Sequence, residues 1–254
     1  MNDLKILAVI PARGGSKGIP LKNLSIVGNK TIVELAAIVA SNISTIDRVI
    51  VSTDSIPIAD AAAKGGADSP FFRPDYLSGD KISDLDVLTH ALLEIELYDS
   101  CTYDVVVMLQ PTSPLRKKEQ VVETIEKLIK NDFDAVWTVS ETDSKSHPLK
   151  QLTIKGTSLN YYDKAGKNII ARQQLNPVYH RNGIAYAITR SCLIDKKSIM
   201  GDKTGYLICH GNNISIDTEF DLELARQGGR HPDRWCHGLY FPETGRPWNR
   251  NFHV

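Results

Sequence analysis

Short, nearly unbroken apolar runs alternate with amphipathic stretches over the first two-thirds of the chain. Residues 4–10, 48–52 and 103–109 are rich in β-branched side chains, as parallel strands covered on both faces require. Between them the period changes to that of a helix. Thr31-Ile-Val-Glu34 reads as a capping box opening a helix through about residue 42. Ile82, Leu85, Leu88, Ala91, Leu92 and Ile95 recur at three- and four-residue steps, and Val121, Val122, Ile125, Leu128 and Ile129 do the same. Strands alternating with such helices predict βαβ units and a three-layer α/β fold around a mostly parallel sheet. The pattern fails between about residues 143 and 177, where weak alternation at 149–154 and 159–162 predicts an irregular insertion with short strands. Regularity returns at 183–189, 205–210 and 214–216, followed by a short helix from about 218 to 227. The sequence thus predicts one domain over residues 1–254, with an insertion at about 141–180. Its tail, 228–254, has no assigned role.

Composition narrows the class. The 254 residues carry 30 Lys+Arg against 30 Asp+Glu, so the formal net charge is zero. That argues against a dedicated nucleic-acid binder, while leaving room for a local basic pocket. No apolar stretch approaches the ~20 residues of a membrane span, and the apolar run at the start is too short for a signal peptide. Cys101, Cys192, Cys209 and Cys236 lie far apart with no zinc-ligand spacing, which fits reduced thiols in a cytoplasmic protein. His231, Cys236 and His237 match no standard metal spacing either.

In open α/β sheets, ligands bind beyond the carboxyl ends of the strands. The loop after the first strand reads Pro11-Ala-Arg13-Gly-Gly-Ser16-Lys17-Gly-Ile-Pro20-Leu-Lys22-Asn23. Its glycines let backbone N–H groups approach a phosphate, and Arg13, Lys17 and Lys22 supply cations beside the neutral donors Ser16 and Asn23. The loop is neither a P-loop, because Lys17 is followed by Gly18, nor the dinucleotide fingerprint G-x-G-x-x-G. A Gly-rich turn with solvated charges is the plain alternative, but cations this dense directly after a buried strand have few structural uses.

This segment resembles the signature loop of the acylneuraminate cytidylyltransferases, A-R-x-x-S-K-G-x-P-x-K-N. Three further segments match the same family in order: Leu109-Gln-Pro-Thr-Ser-Pro-Leu-Arg116, Gln173-Gln174 with Arg181-Asn182-Gly183 and Tyr186, and Ile216-Asp217-Thr218 with Asp221. The resemblance covers about residues 6–226. It implies a Rossmann-like nucleotidyltransferase that moves CMP from CTP to the anomeric hydroxyl of a nine-carbon keto sugar acid and releases pyrophosphate, for surface glycan synthesis. It implies a Mg²⁺ cofactor, a homodimer, and an insertion that forms an arm exchanged between subunits. By resemblance Arg13, Ser16, Lys17, Lys22, Asn23, Arg73 and Ser83 hold the nucleotide. Lys22, Arg13 and Gln110 carry the catalysis. Gln110, Lys150, Arg172, Gln173, Asn182 and Tyr186 hold the sugar acid, with Arg172 on its carboxylate, and Asp217 is the metal ligand.

Several residues keep two readings open. Asp217 precedes a predicted helix, where Asp is also a favoured N-cap. Arg73 could equally be a loop residue tied to an Asp, and Gln110 could serve only the backbone of a Pro-rich turn. Arg116 opens a helix, where a cation opposes the dipole, and this suggests a ligand or a carboxylate partner. Asp84-Leu-Asp86 falls on a predicted helix and reads as an exposed face. The sequence also departs from the family: Ser215 stands where a second aspartate is usual, and Ile199-Met200 stand where some members have paired Phe. Sialic, legionaminic and pseudaminic acids therefore stay open as substrates. So do an octulosonate cytidylyltransferase and a non-catalytic CTP-binding protein on the same fold.

Overall fold

The computed structural model describes residues 4–211 and 213–230; the predicted tail and its His231, Cys236 and His237 lie outside the described residues, apart from the three that end the last helix. Strand β1 (Ile6–Pro11) shows how the sequence makes the layers. Its odd and even positions are both buried, and they face different cores. Ile6, Ala8 and Ile10 pack on helices α1 (Ile32–Ser41), α2 (Ile56–Lys64) and α4 (Lys118–Lys130). Leu7 and Val9 pack on α3 (Asp84–Asp99) and the short α5 (Arg190–Ile194). A strand with helices on both sides needs this continuous apolar run.

The hairpin strands β2 (Ile26–Val27) and β3 (Lys30–Thr31) lead into α1. The central sheet then adds β4 (Arg48–Ser52), β5 (Val105–Met108), β6 (Ala135–Glu141), β9 (Tyr179–Thr189) and β10 (Thr204–Ile208), in the spatial order β10-β6-β9-β5-β1-β4. Only β9 runs against its neighbours, so the fold is the mostly parallel three-layer α/β sheet that the alternating periods predict. Between β6 and β9 the chain forms a separate antiparallel hairpin, β7 (Leu152–Lys155) and β8 (Ser158–Tyr161), whose residues are all exposed. Helix α6 (Glu219–Arg230) closes the described chain.

Thr31 caps α1 as predicted, its hydroxyl accepting from Glu34 N–H at 3.2 Å. Glu34 turns to Lys30 rather than back to the cap. Residues 214–216 are not a strand. Ile216 makes one backbone bond, to the Thr112 carbonyl at 2.8 Å, and its side chain joins a small core with Ile19, Val27, Ile32 and Leu222. Side-chain packing, not a sheet ladder, holds that segment. Helix α2 and strand β6 escape the hydrophobic pattern, α2 because five of its nine residues are Ala or Pro.

Candidate active site

The loop after β1, the turn after β5, the bend inside β9 and the segment before α6 meet at the carboxyl end of the sheet around a cleft of ≈ 570 Å³. The loop is held at both ends. Gly14 N–H donates to Asp54 Oδ1 at 2.7 Å, and the buried Asn23 donates its Nδ2–H to the Arg13 carbonyl at 2.9 Å. Gly18 is required by close approach, because a Cβ there would lie 2.9 Å from the Asp217 carbonyl oxygen. Arg13, Ser16, Lys17, Lys22 and Asn23 all line the cleft.

Arg13 and Lys17 converge on a single carboxylate. Arg13 Nη1 lies 2.8 Å from Asp80, and Lys17 pairs with the same side chain. The hydrogen bonds from Lys17 and Arg13 hold the Asp80 carboxyl below the usual range. Two cations gathered on one anion form a ready grip for a phosphate. Lys22 reaches the other wall, donating from Nζ to the Ile216 carbonyl at 2.9 Å and to Asp217 Oδ1 at 3.0 Å.

The two readings of Asp217 separate here. Thr218 caps α6: its hydroxyl accepts from Asp221 N–H at 3.2 Å, while Asp221 Oδ2 accepts from the N–H groups of Thr218 and Asp217 at 2.8 and 3.1 Å. Asp217 is left out of the cap and presents its carboxylate to the cleft, its side chain 73% exposed. Ser215 lines the cleft beside it. Among the described residues no group of three or more His, Cys, Asp or Glu gathers as a metal cage. One carboxylate with a neighbouring hydroxyl still suits a Mg²⁺ ion that keeps several waters and shares its coordination with substrate phosphates.

Two buried arginines support this floor. Arg73 donates from Nε to Ser52 Oγ at 3.1 Å and also to the Ser52 carbonyl, and burial pushes it down to about 10. It is tied to a serine rather than to an Asp. Arg116 is buried and pushed down to about 9 by desolvation. Among the described residues it pairs with no carboxylate and its Nη1 has no partner; Nε bonds the Ser113 carbonyl at 3.1 Å and Nη2 bonds the Gln110 carbonyl. Arg116 therefore clamps the turn that carries Gln110. Both arginines remain charged at neutral pH.

Gln110 and Tyr186 line the cleft next to Gly183, whose N–H donates to the Tyr186 hydroxyl at 2.8 Å. Burial raises the Tyr186 phenol. Asn182, predicted for the sugar, is buried with its side chain spent inside the protein. Its Oδ1 accepts from Thr138 Oγ1 at 2.6 Å and Ile184 N–H at 3.2 Å, and its Nδ2 donates to Ser140 Oγ at 3.1 Å. Ser83, predicted for the nucleotide, is not among the residues lining the cleft; it is the N-cap of α3, its hydroxyl accepting from Asp86 N–H at 3.2 Å. Lys150, Arg172 and Gln173 lie in the inserted segment, exposed and away from the cleft. Arg172 instead borders a second cavity of ≈ 360 Å³ with His147 and Glu141.

Sequence reasoning missed Arg181 and Asp84, which also line the cleft. Asp86 has the exposed position read for both aspartates, but Asp84, directly after the Ser83 cap, faces inward. Counting the lining residues, Arg13, Lys17, Lys22, Arg73 and Arg181 face Asp80, Asp84 and Asp217. The excess of cations gives a neutral protein one locally positive cleft, suited to an oligophosphate.

Residues 7–227 match the cytidylyltransferase family model. The chain is 31% identical over 226 residues to CMP-N,N'-diacetyllegionaminic acid synthase of Legionella pneumophila, covering 88% of this chain and 96% of that protein. It is 31% identical to pseudaminic acid cytidylyltransferase of Campylobacter jejuni, covering 88% and 95%. Among solved structures, CMP:2-keto-3-deoxy-manno-octonic acid synthetase complexed with CTP shares the fold, with a TM-score of 0.65 at 18% identity over 90% of this chain and 99% of that one.

Proposed function

We propose that this chain, which belongs to the cytidylyltransferase family, transfers CMP from CTP to the anomeric hydroxyl of a nine-carbon 2-keto sugar acid of the legionaminic, pseudaminic or sialic type. The acceptor oxygen bonds to the α-phosphorus, the bond to the bridging oxygen of pyrophosphate breaks, and the hydroxyl proton is lost. The observation that carries this reading is the placement of Arg13, Lys17, Lys22 and Asp217 around one cleft whose far wall holds Gln110 and Tyr186.

Arg13 and Lys17 take the outer phosphates, which displace Asp80 from them. Lys22, held beside Asp217, places its charge at the phosphorus being attacked. Ser16 and the loop N–H groups add neutral donors, and Asn23 keeps the loop in shape through the Arg13 carbonyl. Arg73 and Arg116 add positive field from beneath. Catalysis is then positioning plus electrostatic stabilisation of the transferring group. Asp217, with Ser215 at its side, would hold Mg²⁺ together with the nucleotide phosphates, and the ion would supply further charge neutralisation.

The inserted hairpin supports a homodimer. Ile154 and Leu159 are paired across β7 and β8 and are 78% and 64% exposed. A two-stranded hairpin with no cover is marginal in water, and a second copy supplies the cover. Lys150, Arg172 and Gln173, which are remote from their own cleft, would approach an acceptor from that second copy. CTP as donor, together with the free thiols Cys101, Cys192 and Cys209, fits a reaction in the cytoplasm, as a step towards surface glycans.

Pyrophosphate release tests the reading, using CTP, Mg²⁺ and a panel of legionaminic, pseudaminic, N-acetylneuraminic and octulosonic acids. Turnover with CTP and a nine-carbon acid, and not with ATP, GTP or UTP, is the expected result. CTP binding without turnover on any acid would leave a nucleotide-binding protein instead.

A further inference from the structure

Strands β6 and β9 pair as Ala135↔Ile188, Val136↔Ala187 and Trp137↔Tyr186, then resume at Val139↔Arg181. Two steps along β6 therefore correspond to five along β9. The excess is odd, and an odd slip turns every following side chain to the other face of the sheet. In regular alternation Arg181 would share a face with Ala185 and Ala187, in the apolar layer under α4. The bulge puts it on the face of Trp137 and Tyr186, at the cleft.

The irregularity is built, not tolerated. Gly183 carries it with φ +71°, and a Cβ there would lie 2.6 Å from Gln110 Oε1 and 2.8 Å from Ser113 Oγ. The buried Asn182 satisfies it through Thr138, Ser140 and Ile184. Its consequence at the surface is one re-aimed guanidinium, lying 5.3 Å over the Trp137 ring. Arg181 Nη1 is 3.6 Å from Asp84 Oδ2, which balances the charge without taking a hydrogen bond. Among the described residues no group accepts a hydrogen bond from the Arg181 side chain, which is 52% exposed. The other cations lining the cleft are engaged, Arg13 and Lys17 by Asp80, Lys22 by Asp217 and Arg73 by Ser52.

Position completes the assignment. β9 lies two strands from β1, beyond β5, roughly 10 Å across the sheet from the phosphate loop. A guanidinium over an indole face is attracted by the ring, and its fork matches a carboxylate. We infer that Arg181 grips the C1 carboxylate of the acceptor sugar acid from within the same chain, a task the family resemblance gives to Arg172. The inference rests on the cytidylyl-transfer reading.

The test uses whichever of the legionaminic, pseudaminic and N-acetylneuraminic acids turns over fastest with the wild type, alongside its C1 carboxamide. Arg181→Gln should raise KM for the acid about 10- to 100-fold, leave KM for CTP within about threefold, and abolish the preference for acid over amide. Arg181→Lys should fall between, and Arg172→Gln should keep the preference. An Arg181→Gln enzyme that still prefers the acid as the wild type does, or that loses acid and amide alike, overturns the inference. A wild type silent with every acid removes the transfer reading itself, so the two failures are distinct.

Discussion

Replacing Lys22 by Met keeps the aliphatic stem and removes only the ammonium group. In the structure that group makes two bonds, to the Ile216 carbonyl at 2.9 Å and to Asp217 Oδ1 at 3.0 Å. A hydrogen bond from a charged donor contributes about 1.5–3 kcal/mol, but the Asp217 side chain is 73% exposed, so solvent cuts its share to at most about 1 kcal/mol. The carbonyl partly recovers through water. A net loss of about 1–2 kcal/mol follows, which for a chain of this size lowers Tm by roughly 2–8 °C. The catalytic loss is much larger, because removing one fixed charge from a transferring group costs about 10²–10³ in kcat. Thermal melting and pyrophosphate release on the same preparation compare the two effects. A variant with kcat within about threefold of wild type but a Tm lower by more than about 10 °C would make Lys22 a strut between the loop and the segment before α6, and would refute the reasoning.

Other sites give independent tests. Gly183→Ala forces a side chain into a left-handed position against Gln110 and Ser113; a loss of about 2 kcal/mol or more in urea unfolding is expected, and a neutral result would mean that the bulge is soft. Asp134 is held down to about 2 by Lys196 and the N–H groups of Lys203 and Asp202. A depressed carboxyl stabilises above its unfolded value of 3.8 and loses that contribution as pH falls through about 2. The Tm gap between wild type and Asp134→Asn should thus be full at neutral pH and close in strong acid; a gap independent of pH would contradict it. Asp217→Asn should raise, and Ser215→Asp lower, the Mg²⁺ concentration giving half-maximal rate, whereas unchanged curves for both would remove the metal from this segment. Ile154→Lys with Leu159→Lys should shift sedimentation from dimer to monomer, and a monomeric wild type would sink the dimer.

The layers and the phosphate loop were legible because both are local in sequence. A buried strand must be apolar throughout, and a loop that cradles an anion must concentrate glycines and cations over a few residues. Less legible were features fixed by pairing between distant segments. Asn182 and Arg181 are adjacent, and sequence assigned the sugar to the first. The bulge between β6 and β9 buries that one and turns the second into the cleft, a reversal that depends on register. Asp84 was misjudged for a similar reason, since helical position alone does not say which end of a helix overhangs a cleft. Arg116 was read as opening a helix and needing a ligand or a carboxylate, but it precedes the Lys117 N-cap of α4. Its partners are carbonyls from the turn before it, which neither charge pairing nor periodicity could indicate. Lys150, Arg172 and Gln173 are placed together in the inserted segment, but not at the cleft of their own chain.

The most direct trial is the product itself. Wild-type protein incubated with CTP, Mg²⁺ and a nine-carbon keto acid should yield one pyrophosphate and one CMP–sugar ester for each CTP consumed, with the phosphorus bound to the anomeric oxygen by mass spectrometry and ³¹P NMR. Free CMP in place of the ester, or unchanged CTP with every acid, would contradict cytidylyl transfer by this cleft.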